Sequence, residues 1–182
     1  DMGWVLKNEN IDIGNVEYNN EMKNVIYPWG TFFTPMNLFD VLNASISNNT
    51  KGLFDRRSFI KVPKDLTGNH YQSSKQHDVN NDYNFWCLFI KTRLNTSILD
   101  HAILKVNEIL NKLNNSLKNA DVIIITLGLI ETWIDKDKNF AWHSFHGDAL
   151  NKKSIDDLAY FKQLNYGDVT NYIQKIIKII NT

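Results

Sequence analysis

The chain has 182 residues, 43% of them hydrophobic, enough to bury the core of one domain without metal or disulfide staples. Twenty basic and twenty acidic side chains cancel to a formal charge of zero, which excludes the electrostatic footprint of a general nucleic-acid binder. Cys87 is the only cysteine, so no internal disulfide forms, and its neighbours Phe85, Trp86, Leu88 and Phe89 mark a buried, inert thiol in a reducing, cytoplasmic setting. No apolar run approaches the roughly 20 residues that span a bilayer, and the start Asp1-Met-Gly-Trp lacks the form of a secretory signal, so no membrane partner is expected.

Residues 1–24 are polar and asparagine-rich, with a short strand expected near residues 11–16. An apolar segment from Val25 then meets a turn at Pro28 and Gly30. Thr34-Pro35 supplies an N-cap followed by proline at the first helical position, which predicts a helix over residues 35–44 with Leu38, Phe39, Val41 and Leu42 on its apolar face. Residues 45–84 show no helical period; so long an irregular stretch is expected to be an active-site loop or a lid, or else disordered. Residues 85–90 read equally as a strand or a short buried helix. Ser97-Ile-Leu-Asp100 has the form of a capping box, and Leu99, Ile103, Val106, Ile109 or Leu110, Leu113 and Leu117 follow at helical spacing.

Residues 122–127 form an apolar, β-branched run, the pattern of a strand covered on both faces, and it leads into Gly128. A helix followed by such a strand is half of a βαβ unit, which predicts a parallel sheet with helices on its faces. Ligands bind at strand ends of that kind, so Thr126, Gly128 and Glu131 become candidate site residues. Gly128 fits either a close approach of backbone to ligand or a plain turn. His143 and His146 form His-x-x-His, but too few further ligands accompany them for a zinc site, and no metal is expected. A last helix over residues 168–180 places Val169, Tyr172, Ile173, Ile176 and Ile180 on one side.

Three segments, Tyr27-Pro-Trp-Gly-Thr-Phe-Phe-Thr-Pro35, Ala120-Asp-Val-Ile-Ile-Ile-Thr-Leu-Gly-Leu-Ile-Glu-Thr-Trp133 and Asn165-Tyr-Gly-Asp-Val169, resemble successive blocks of the GSCFA domain. That family is similar to the SGNH, or GDSL-like, serine hydrolases. The resemblance implies a single three-layer α/β/α domain with a mostly parallel sheet, acting on an ester of a small molecule or carbohydrate without a cofactor. It places Gly30 and Gly128 at oxyanion positions. Trp29, Thr31, Thr126, Glu131, Trp133 and His143 become substrate-binding candidates. The Gly-Ser-Cys-Phe-Ala block with its nucleophilic serine does not occur in these 182 residues, and no histidine has aspartate three residues before it. Ile130 stands where the family's relatives carry an asparagine donor. Nucleophile and base are therefore expected outside this chain, and the isolated chain is expected to be inactive. The alternative is a non-catalytic α/β binding or interaction module.

Overall fold

A computed structural model describes residues 34–47, 53–63, 83–90, 94, 96–121, 123, 125, 127–143 and 152–181. The strand expected near residues 11–16, the turn with Trp29, Gly30 and Thr31, and Thr126 and His146 all lie outside them. In chain order the elements are helix α1 (Pro35–Ser47), a 3-10 turn (Arg56–Ser58), strands β1 (Phe59–Pro63) and β2 (Tyr83–Cys87), helix α2 (Leu99–Lys118), strand β3 (Glu131–Asp135), helix α3 (Lys152–Leu158), strand β4 (Ala159–Gln163) and helix α4 (Tyr166–Ile180).

The start of α1 follows from its sequence: Thr34 Oγ1 accepts the Asn37 N–H at 3.2 Å, and Pro35 occupies the first helical position, where its missing N–H costs nothing. Leu38, Val41, Leu42 and Ala44 are buried, and the helix packs on both α2 and α4. Helix α2 buries Ala102, Val106, Leu110 and Leu113, a single stripe repeating every three or four residues. Its expected capping box is absent. Ile98 takes the N-cap position without a side-chain bond, and its own N–H donates to Thr96 Oγ1 at 3.2 Å.

Two stretches depart from their sequence patterns. Residues 45–84 are not irregular throughout: Asp55 caps the 3-10 turn, and β1 pairs antiparallel with β2, from Phe59 opposite Cys87 to Pro63 opposite Tyr83. This pairing settles residues 85–90 as the end of a strand followed by a bend. A five-residue strand becomes visible only through its partner, which lies some twenty residues away in sequence. In the run 122–127, the described residues Ile123, Ile125 and Leu127 join no ladder, and the strand begins later, at Glu131. Ile125, Leu129 and Ile130 are 39%, 46% and 41% exposed. Apolar periodicity cannot register whether a ladder partner lies alongside, and among the described residues none does. The two sheets seen are the antiparallel pairs β1–β2 and β3–β4, so the architecture is mixed α/β and its described ladders are not parallel.

Strand β3 is flanked on both edges. On one side β4 runs antiparallel to it, with Trp133 opposite Phe161. On the other, Asp135 N–H donates to Phe140 O at 3.0 Å and Trp142 N–H to Trp133 O at 2.7 Å, so residues 140–142 continue the ladder. The far edge of that segment meets a helix. Asn37 Nδ2 donates to Ala141 O at 2.7 Å and to Phe89 O at 3.0 Å, while Asp40 Oδ2 accepts the Ala141 N–H at 2.8 Å. Two side chains one turn apart thus hold both polar groups of Ala141 as a neighbouring strand would.

Asn37 is fully buried, so replacing it with Ala strands two interior carbonyls. Asn37→Ala is expected to cost about 2–6 kcal/mol in urea unfolding, each of the two unsatisfied carbonyls contributing roughly 1–3 kcal/mol.

Candidate functional site

The sequence Glu131-Thr-Trp-Ile-Asp135 alternates across β3, and the two faces of the ladder have different fates. Thr132 and Ile134 are buried, Ile134 in a small cluster with Met36, Ala141 and Leu164 against which Val169 and Tyr172 pack. The opposite face carries Glu131, Trp133 and Asp135, with Gln163, Phe161 and Ala159 across from them on β4. At its lower end Asp135 and Ala159 are buried, and Asp135 Oδ1 accepts the N–H groups of Asp137 and Lys138 at 3.0 and 2.9 Å. This Asx-type turn returns the chain through Asn139, which adopts φ 49° in the left-handed region that asparagine tolerates. At the upper end Glu131 and Gln163 are exposed, and Trp133, half-buried, meets the Phe161 ring edge-on with centroids 5.6 Å apart.

The structure brings together some candidate residues and separates others. Glu131 and Trp133 share the open face. Continuing the register of residues 140–142 by one step brings His143 opposite Thr132, on the other face, where it is 2% exposed and its N–H donates to Leu88 O at 2.9 Å. His143 is thus an interior residue, contrary to its expected position beside a substrate. Gly128 is exposed backbone with a φ outside the left-handed region, and a Cβ there meets no atom within 4 Å. Neither a left-handed backbone nor a crowding protein atom requires glycine at this position. Phe161 and Gln163 escape sequence reasoning because β4 is five residues long and their place beside Glu131 depends on register alone. The aromatic pair Tyr160-Phe161 was the one local strand signal.

Charges around the ladder are arranged on its helical side. Burial pushes the Asp40 carboxyl up to about 7, against the Ala141 N–H and the Lys175 ammonium, which favour the anion. Tyr172 is raised from its ordinary value by burial and by Asp40. Asp168 is lowered by the Asn165 N–H and then by Lys162, whose Nζ lies 3.1 Å from Asp168 Oδ1 and ties β4 to the first turn of α4. Asn165 and Asp168 form the capping box of that helix. Cys87 is wholly buried and its thiol is pushed up to about 12 by burial, which makes it a structural residue. Among the described residues no three His, Cys, Asp or Glu side chains converge as a metal site, and no helix is long and apolar enough to cross a membrane.

The model of the GSCFA family matches residues 11–182. No curated protein and no solved structure gives a match.

Two outcomes follow from this geometry. The folded chain holds the Asp40 proton more tightly than the unfolded chain, where the carboxyl titrates near 3.8. Its contribution to stability is therefore full below about pH 4 and declines by about 1.4 kcal/mol per pH unit as the pH rises to about 7. Urea unfolding at pH 5 and pH 8 is expected to show this loss in the wild type and a flatter dependence in Asp40→Asn. Gly128→Ala is expected to unfold within about 0.5 kcal/mol of the wild type, because the new methyl group meets open space.

Proposed function

The chain belongs to the GSCFA family, and we propose that it forms the ester-binding part of an SGNH-type hydrolase or acyltransferase, acting on an acylated small molecule or carbohydrate. The observation that carries this reading is the open upper end of the β3–β4 face, where the family block ends and Glu131 and Trp133 stand side by side. Ester hydrolysis requires a nucleophile, a base to take its proton, and donors aimed at the acyl oxygen as negative charge develops. In this reading the backbone at Gly128 is a donor, Glu131 orients substrate hydroxyls, and Trp133 walls the cleft. The finer fold that this reading carries is a three-layer α/β/α arrangement with a mostly parallel sheet. Nucleophile and base come from residues other than these 182, since neither Gly-Ser-Cys-Phe-Ala nor Asp-x-x-His occurs among them.

A second reading, a non-catalytic binding module, draws support from two residues. Ile130 cannot donate from its side chain, and His143 is interior. Losing one oxyanion donor typically costs on the order of a hundred-fold in rate, so a chain keeping the scaffold without the donor keeps binding more readily than turnover.

Hydrolysis of aryl acetates separates the two. The 182-residue chain is expected to show none, whereas a longer chain carrying the Gly-Ser-Cys-Phe-Ala block is expected to turn them over, roughly tenfold or more slowly after Glu131→Gln. Robust hydrolysis by the 182-residue chain that survives Gly128→Ala and Glu131→Gln contradicts the placement of the site. Inactivity of the longer chain favours the binding module.

A further inference from the structure

We propose that the upper end of the β3–β4 face is a subsite for a neutral saccharide, with Phe161 and Trp133 as the apolar wall and Glu131 and Gln163 as the hydrogen-bonding pair. The inference names the moiety bound at the site proposed above, and it rests on that reading only in assigning the saccharide to an ester.

The geometry is that of an amphipathic ledge. Phe161 is 53% exposed although it sits in mid-strand, and its exposed ring leans on the half-buried Trp133. Directly above this pair on the same face stand Glu131 and Gln163, opposite one another in register and both exposed. The face is closed at its other end, where Asp135 and Ala159 are each only 2% exposed, so its apolar surface opens to solvent at one place. Trp133 packs against the main core, which fixes the orientation of the wall.

A sugar ring matches this distribution of groups. One side of a pyranose is a patch of C–H bonds that gains by covering an aromatic ring, and its rim carries hydroxyls that both donate and accept. The Glu131 carboxylate is acceptor-only and the Gln163 amide both donates and accepts, so the two together satisfy a pair of neighbouring hydroxyls. The charge that β3 and β4 present here is negative. Lys162 is turned to the opposite face and bound by Asp168 at 3.1 Å, which leaves the Glu131 carboxylate to disfavour anionic sugars.

The test is saturation-transfer NMR, with tryptophan fluorescence in parallel, on the full chain titrated with xylohexaose, cellohexaose and chitohexaose. At least one is expected to receive transfer at its ring C–H protons. Phe161→Ala is expected to weaken that saccharide roughly tenfold, the loss of one aromatic contact. Gln163→Ala is expected to weaken it several-fold. Phe161→Tyr is expected to retain binding, as is Tyr160→Ala, which changes the opposite face of the same strand. Absence of transfer to all three saccharides, or equal binding by wild type and Phe161→Ala, overturns the proposal. Failure here with aryl acetate turnover intact in the longer chain leaves the ester reading standing, whereas saccharide binding without turnover in any chain removes that reading and keeps the subsite.

Discussion

Much of this structure depends on how one peptide is held. Ala141 has β3 on one side and, among the described residues, no further strand on the other, and a buried peptide edge left in that state is costly. Helix α1 meets the need with Asn37 as donor and Asp40 as acceptor, three residues apart and so on one face of the helix. This grip locks α1 to the β3–β4 ladder across a hundred residues of sequence. Asn37 also reaches Phe89 O, and the bend after β2 joins the same junction. The arrangement carries a cost, because Asp40 is a partly buried carboxyl whose desolvation the Ala141 N–H and the nearby Lys175 offset in part.

With the ladder fixed in this way, its two faces acquire different roles. The face of Thr132 and Ile134 is covered by Met36 of α1 and by Val169 and Tyr172 of α4, and β4 is tied to α4 through Lys162 and Asp168. The other face is buried at the Asp135 end and open at the Glu131 end, so its aromatic and polar groups meet solvent together on a rigid backing. Binding sites built on strands hold their geometry better than sites built on loops. The functional proposal places substrate there because that end joins exposed aromatic surface, hydrogen-bonding groups and the family's sequence block.

Part of this was legible in the sequence. Thr34-Pro35 announced α1, the three-and-four spacing from Ala102 to Leu113 announced α2, and the apolar neighbours of Cys87 announced its burial. These signals are local, and local periodicity survives without knowledge of the partner. The failures are equally physical. Ser97 and Asp100 satisfy a capping pattern, yet the chain enters α2 one residue later, at Ile98. Ile173 lies at a helical position expected to be apolar and inward but is 38% exposed, while Ile176 alone in that helix is buried. Strands β1 and β4, the antiparallel direction of both ladders, and the alignment of Phe161 and Gln163 with Trp133 and Glu131 depend on register between distant segments. The interior position of His143 has the same origin, since one step of pairing determines which face it joins.

Amide hydrogen exchange at Ala141 reads out this grip, because that N–H exists in two quite different environments according to whether Asp40 holds it. Protection comparable to that of the Val106 amide in the middle of α2 is expected, reduced selectively when Asp40 is replaced by Ala. An Ala141 amide that exchanges as fast as an unfolded peptide, while α2 remains protected, would contradict it.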